Sequence, residues 1–206
     1  MIMKTYQIVF CFLLGLTTVS QANAQEGEVN VNLNYTFGIP TSSFRDDIVN
    51  KTSFRGWTGT IMYGVTENFS VGFGSGFQDF YQKYPRALYK LPNGSDISAV
   101  LSNSVQMVPL LATVHYQFIP YSALQPYVGL GVGGNIITFR QYIGEFESSR
   151  NSFGFAMRPE AGVNIPITYR FGINVNGMFN YMPYHKDGFN NLNYWGINAG
   201  IRFGLN

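Results

Sequence analysis

Val29-Asn30-Val31-Asn32-Leu33-Asn34-Tyr35-Thr36-Phe37-Gly38-Ile39 is the stretch on which the fold turns. Every odd position is apolar or aromatic, and the even positions are Asn, Asn, Asn, Thr and Gly. An extended backbone, whose side chains alternate between two faces, keeps those two sets apart. A helix of about 3.6 residues per turn would scatter the asparagines around its surface. The stretch therefore reads as a strand with one greasy face and one polar face.

Seven further segments follow the same rule. Trp57 to Val65 sets Trp57, Ile61, Tyr63 and Val65 against Thr58, Thr60 and Gly64. Phe69 to Phe77 sets Phe69, Val71, Phe73 and Phe77 against Ser70, Gly72, Gly74 and Gly76. Val108 to Phe118 sets Val108, Leu110, Val114 and Tyr116 against Thr113, His115 and Gln117. Tyr127 to Phe139 alternates Val128, Leu130, Val132 and Ile136 with Gly129, Gly131, Gly133 and Asn135. Phe153 to Ile165 sets Phe153, Phe155, Met157, Val163 and Ile165 against Arg158, Glu160, Gly162 and Asn164. Phe171 to Tyr181 sets Ile173, Val175 and Phe179 against Asn174, Asn176 and Asn180. Trp195 to Leu205 sets Trp195, Ile197, Ala199, Ile201 and Phe203 against Asn198 and Arg202. Eight strands of this length can cross a membrane at a tilt and close without an edge. The predicted fold is all-β, an eight-stranded antiparallel transmembrane β-barrel with up-and-down meander topology.

The positions of the charges separate a membrane barrel from a soluble sandwich. Charged residues are 12% of the chain, while aromatics reach 17%; a soluble domain carries about twice that charge. Within the predicted strand interiors only Arg158, Glu160 and Arg202 are charged, and all three share the polar parity. A soluble sandwich would carry Lys and Glu on its polar face. Here that face is Asn, Gly, Thr and Ser, which suits a narrow closed interior, and the apolar face is then the one that meets lipid.

The first residues read as an export signal. Lys4 is followed by the apolar run Ile8 to Leu16, and Ala22-Asn23-Ala24 fits the small-x-small cleavage pattern. Residues 1–24 are thus expected to be a signal peptide and 25–206 the barrel. The single cysteine, Cys11, lies inside the signal, so the exported chain has no disulfide or thiolate metal site. Without Lys4, the 13 Lys and Arg become 12 against 11 Asp and Glu, a balance that suggests no nucleic-acid partner.

Connections alternate in length. Pro40–Phe54, Gln82–Ser104, Gln141–Ser152 and Pro183–Leu192 are long, whereas Thr66–Asn68, Ile119–Gln125 and Pro166–Arg170 are short. Long outer loops alternating with short periplasmic turns is the outer-membrane arrangement. It puts both termini in the periplasm and the long loops outside the cell. Aromatics gather at both predicted interfaces. Tyr63, Phe69, Tyr116, Phe118, Tyr127, Tyr169, Phe171 and Phe203 mark one end; Phe37, Trp57, Phe77, Phe153, Tyr181 and Trp195 mark the other.

The segment Val108-Pro109-Leu110-Leu111 through Tyr116, followed by Pro126-Tyr127-Val128-Gly129-Leu130-Gly131-Val132-Gly133, resembles the central hairpin of the small outer-membrane β-barrel domain family. That family includes OmpX-like proteins and the OmpA-type transmembrane domain. The resemblance extends over the whole chain after the signal, and it implies a cell outer-membrane location in a Gram-negative bacterium. The last strand departs from the family pattern: it ends Phe203-Gly204-Leu205-Asn206 instead of on a terminal aromatic.

Chemical motifs are sparse. Gly129 to Gly134 fits G-x-G-x-x-G, but the strand continues where a nucleotide site needs a helix, so these glycines read as room made in the lumen. Some barrels of this size are lipid-modifying enzymes, which need His, a Ser nucleophile and a carboxylate together. His185 has no serine near it in sequence, and His115 points inward. Arg45-Asp46-Asp47 and Asn93-Gly94-Ser95-Asp96 lack the spacing of a calcium loop. Lys83, Arg86, Lys90 and Arg150 are interspersed with Asp79, Asp96, Glu145 and Glu147 and form no dedicated basic patch.

The expected function is that of a non-enzymatic outer-membrane barrel, structural or binding through its outer loops. A narrow pore or ligand-holding barrel is the alternative, on the strength of the inward glycines, and a lipid A-modifying enzyme is a distant third. No catalytic, cofactor or metal residues are expected. Outer-membrane lipids and lipopolysaccharide, the barrel assembly machinery during biogenesis and an unidentified membrane-protein partner are the expected partners. Arg158, Glu160, Arg202 and His115 form the expected structural polar cluster of the lumen. Glu160 should pair with Arg202 or Arg158, and the cluster should plug and rigidify the barrel.

Overall fold

The computed structural model describes residues 27–90, 96–144, 146–186 and 189–205. The expected signal peptide and the Asn93-Gly94 loop tip lie outside them. In chain order the elements are β1 (Val29–Pro40), α1 (Ser42–Asp47), β2 (Ser53–Gly64), β3 (Phe69–Lys83), β4 (Ala87–Lys90), β5 (Asp96–Ala99), β6 (Leu101–Gln117), β7 (Gln125–Ile143), β8 (Phe146–Pro166), β9 (Phe171–Asn180), β10 (His185–Lys186), β11 (Phe189–Asn190) and β12 (Tyr194–Gly204). β1, β2, β3, β6, β7, β8, β9 and β12 close into one barrel. The closing seam pairs β1 with β12 over eleven residue pairs, from Asn30↔Gly204 to Pro40↔Tyr194.

The alternation read from the sequence is the inside-outside alternation of the wall. Leu33, Tyr35, Trp57, Ile61, Phe73, Val132, Ile173 and Ile197 are exposed, whereas Asn32, Asn34, Thr36, Thr58, Thr60, Asn174, Asn176 and Asn198 are buried. On β7 the outward apolar run spans Pro126 to Ile136. Ten steps at about 3.3 Å and a tilt of about 40° give a belt about 25 Å tall, the thickness of an outer-membrane hydrocarbon layer.

The strands continue past this belt at the end opposite the termini, here called the loop end. Outward positions there are polar: Asp79 stands beside Gln106, Gln106 beside Thr138 and Thr138 beside Asn151. This corrects the expected long loop Gln141–Ser152, because β7 runs to Ile143, β8 starts at Phe146, and a tight turn through Gly144 (φ 63°) joins them. Above the membrane both faces of a strand meet polar surroundings, so the two-residue hydrophobic period disappears while the strand does not. The turns at the terminal end are short, as expected. Two of them repeat one device: Thr66 and Thr168 each accept a bond, through Oγ1, from the backbone N–H of the Phe three residues on.

At the loop end the interior is an apolar core. Phe44, Ile48 and Val49, from α1 and the chain after it, pack under Phe80, Val105, Met107, Ile137, Met178, Met182, Tyr184, Leu192 and Tyr194. Phe44 and Phe80 meet edge to face at 4.8 Å between centroids, and Phe80 and Tyr194 at 5.1 Å. Hydrogen bonds fasten the first loop over this core: Asn50 N–H donates to Gln82 Oε1 (2.6 Å) and the Tyr84 hydroxyl to Ile48 O (3.0 Å). Thr41 N–H donates to Asn193 O (3.0 Å), tying the first loop to the last.

The wall has one discontinuity. β8 pairs with β9 only from Pro166↔Gly172 to Glu160↔Met178, with a single further bridge at Met157↔Tyr181. Pro159, which has no N–H to give, lies between them. Among the described residues, β8 beyond Met157 has no strand on that side.

The belt boundary gives a direct test. Val132→Arg places a charge at mid-belt and is expected to cost about 2–4 kcal/mol. Thr138→Arg, six residues on and on the same outward face, should change stability by less than about 0.5 kcal/mol, as surface substitutions do. Urea unfolding in liposomes measures both, and equal losses would remove the belt from this position.

Candidate functional site

The interior at the terminal end is polar, and the arrangement of its residues follows from the register of the strands. Ser70 on β3 faces His115 on β6, His115 faces Gly129 on β7, and Gly129 faces Glu160 on β8. These positions form one inward-facing row around the barrel. His115 and Glu160 sit two strands apart and still meet, with Nε2 3.0 Å from Oε1. They can do so because Gly129 between them has no side chain. A Cβ there would lie 2.6 Å from His115 Cδ2 and 2.9 Å from Glu160 Cγ.

Tyr127, two residues earlier on β7, lies against the same imidazole, with ring centroids 4.9 Å apart. Its hydroxyl accepts from Asn174 Nδ2 (3.1 Å) and Asn176 Nδ2 (3.0 Å) and also reaches the Glu160 carboxylate. The asparagines form a directed chain. Asn198 Nδ2 donates to Asn176 Oδ1 (2.6 Å), Asn176 Nδ2 to Asn174 Oδ1 (2.9 Å), and Asn174 Nδ2 to Asn164 Oδ1 (2.7 Å). Two successive inward positions on β9, Asn174 and Asn176, are thus bonded to the strands on either side. Between the adjacent strands β1 and β2, Asn32 Nδ2 donates to Thr60 Oγ1 at 2.9 Å.

The four residues singled out from the sequence all face inward but do not form one cluster. Glu160 meets His115 in place of Arg158 or Arg202. The reason is height. Arg202 belongs nearer the terminal end, where its Nε donates to Asn30 Oδ1 at 3.2 Å. Arg158, 3% exposed, sits one inward row towards the loop end and reaches the hydroxyl of Tyr194 under the apolar core. Among the described residues, Arg158 Nε and Nη2 have no hydrogen-bond partner. Tyr127, expected in the aromatic girdle at the periplasmic end, is instead 3% exposed at the centre of this network. Its odd parity on β7, shared with Gly129 and Gly131, carried that signal.

The glycines read as making room in the lumen do so, and neighbours fill the room. Thr60 and Thr113 methyls lie 3.3 and 3.2 Å from a Cβ built on Gly74; Leu111 and Thr113 close over Gly131 at 3.1 and 3.2 Å. Gln78 occupies the space above Gly38 and Gly56 and donates to Ser53 Oγ at 2.8 Å. No group of three or more His, Cys, Asp or Glu is placed to hold a metal among the described residues. Arg45 and Asp46 lie on α1, and His185 falls in β10.

The pairing across Gly129 is testable. Gly129→Ala should destabilise the barrel by about 1–3 kcal/mol, because a well-packed site has no space for the methyl group. In a His115→Ala background the same substitution should cost at least 0.5 kcal/mol less, the scale of coupling between residues in contact. Additive losses in a double-mutant cycle of urea unfolding would show that the two side chains do not meet there.

The barrel shape recurs in solved structures. The attachment invasion locus protein Ail of Yersinia pestis, solved in complex with the heparin analogue sucrose octasulfate, aligns with a TM-score of 0.51 at 16% identity, covering 86% of this chain and 99% of Ail. The outer membrane protein OprG of Pseudomonas aeruginosa aligns with a TM-score of 0.54 at 14% identity, covering 89% of this chain and 98% of OprG. At these identities the likeness is one of fold. No curated protein matches the chain in sequence. The family model of the outer membrane protein beta-barrel domain matches residues 8–203. With a closed eight-stranded wall, an apolar belt and a polar interior, the chain belongs to the outer membrane protein beta-barrel domain family.

Proposed function

We propose that this protein is a sealed, non-enzymatic outer-membrane barrel that works through its loop end at the cell surface, with both termini in the periplasm. The observation that carries this reading is the apolar core across the loop end: Phe44, Val49, Phe80, Met107 and Met182 are each 0% exposed inside the barrel mouth. Ions do not cross a dry apolar layer without a large desolvation penalty. Below it, Gln78, Arg158 and the asparagine chain fill the bore, and the glycines that raised the alternative of a narrow pore are covered by their neighbours.

The loop end offers a surface for binding. The sheet of β3, β6, β7 and β8 rises above the belt; among the described residues no strand pairs with β8 on its β9 side before Met157, and an extended segment of another protein can add there. Arg55 sits just above the belt, 3.4 Å from Asp79 and 5.3 Å from the Tyr81 ring centroid. With Lys83 on β3 and Arg140 on β7, both on outward positions, it suits contact with lipopolysaccharide phosphates. The barrel assembly machinery remains the expected partner in biogenesis.

A catalytic reading is less well supported. Ser70, His115 and Glu160 share one row, but no hydrogen bond joins Ser70 to the imidazole among the described residues. The void beside them, about 20 Å³, holds about one water and no acyl chain.

Two measurements test the proposal. Purified protein in planar bilayers should give no stepwise conductance above the lipid leak; regular steps would replace the sealed barrel with a pore. A protease site inserted between Lys90 and Asp96 should be cut on intact cells, and one at Glu67-Asn68 should not. The reverse pattern would invert the orientation.

A further inference from the structure

The terminal end of the barrel is open where the loop end is closed. It holds a mouth of about 430 Å³, lined among others by Glu28, Asn30, Asn164, Arg170 and Arg202. That volume lies within the range of small-molecule sites. Asn30, Asn164 and Arg202 form its floor, since the same three residues line the smaller void over Ser70, His115 and Tyr127. Gly172 and Gly204 also line the mouth. A Cβ on Gly204 would meet nothing nearer than 3.7 Å, so this part of the rim is open.

Hydrogen-bond accounting on the floor has one sign. Asn30 Oδ1 is taken by Arg202 Nε, and Asn164 Oδ1 by Asn174 Nδ2. Each amide oxygen thus already accepts one bond, whereas Asn30 Nδ2, Asn164 Nδ2 and the two terminal nitrogens of Arg202 donate to nothing among the described residues. Among the described residues the one interior carboxylate is Glu160, and it is engaged by His115 at 3.0 Å. Arg170, its guanidinium 5.2 Å from the Tyr169 ring centroid, adds a second positive charge at the rim, where Glu28 lines the mouth and Glu67 lies beside Tyr121.

We propose that this mouth binds a carboxylate group, held in a fork by the terminal nitrogens of Arg202 and flanked by the amide nitrogens of Asn30 and Asn164. A planar guanidinium offers two parallel donors at the spacing of the two carboxylate oxygens. The ligand is a small carboxylic acid or the C-terminal end of a peptide. The site goes beyond the surface role proposed above and does not depend on it.

Isothermal titration of the refolded barrel in detergent micelles tests the site with four probes: N-acetyl-alanyl-alanine, its C-terminal amide, succinate and inorganic phosphate. The free-acid peptide should bind and the amide should not. Binding of succinate as well points to small acids; binding of the peptide alone points to a chain end, and either supports the site. Arg202→Gln should weaken binding at least tenfold. Asn164→Asp should do the same while leaving the arginine in place, because it sets a negative charge beside the ligand. Heat-dependent gel migration confirms that each variant is folded. Equal binding of acid and amide, equal binding of phosphate, no binding to the unmodified barrel, or unchanged affinity in a folded Arg202→Gln or Asn164→Asp barrel would each overturn the proposal.

Discussion

A chain that crosses lipid must satisfy its backbone N–H and C=O groups without water, and for strands this requires a closed ladder. Here the requirement is met at the seam between β1 and β12, where eleven residue pairs join the first strand to the last. Closure with eight strands sets the bore, and a bore of this width is just filled by side chains. Once the seam is made, each inward residue faces other side chains instead of solvent. Polar groups there must bond one another, and apolar groups must pack.

The interior resolves this in two zones. Towards the termini, short amides and Tyr127 form the chain of hydrogen bonds from Asn198 to Asn164, and the one carboxylate finds an imidazole. Towards the loops, aromatic and methionine side chains form a core like that of a soluble domain, completed by Phe44 and Val49 from the first loop. Arg158 lies at the junction. It is buried between the asparagines and Tyr194, with two nitrogens lacking a partner among the described residues. Glycine acts as the spacer between bulky neighbours in both zones, most clearly at Gly129, where its missing side chain is what allows His115 and Glu160 to touch.

The wall was legible in the sequence because lipid on one side and a filled bore on the other force a strict two-residue period, and all eight predicted strands lie on barrel strands. The period fails above the membrane, so the continuation of β7 and β8 to the turn at Gly144 read as a loop. The apolar core over the mouth was missed for a related reason: Phe44, Ile48 and Val49 lie in a connection with no strand period, and their burial depends on the opposite wall. The inward parity of Arg158, Glu160, Arg202 and His115 was readable. Their pairing was not, since it depends on relative height across strands. Register, which places Gly129 between His115 and Glu160, is a property of paired strands and not of either sequence alone. The even-numbered asparagines of β9, Asn174 and Asn176, were visible as a polar stripe, but their common partner Tyr127 became apparent only with the fold.

The central claim is that the bore is solid between a closed loop end and an open terminal mouth. Cysteine accessibility tests it most directly, because residues 27–206 contain no native cysteine. Thr113, buried at mid-height, and Thr168, which lines the mouth, are each replaced by cysteine in barrels refolded into liposomes and exposed to a small charged thiol reagent. A solid bore leaves Thr113→Cys unreactive while Thr168→Cys is modified rapidly. Modification of Thr113→Cys at a rate comparable to Thr168→Cys would contradict it and show a water-filled passage through the barrel.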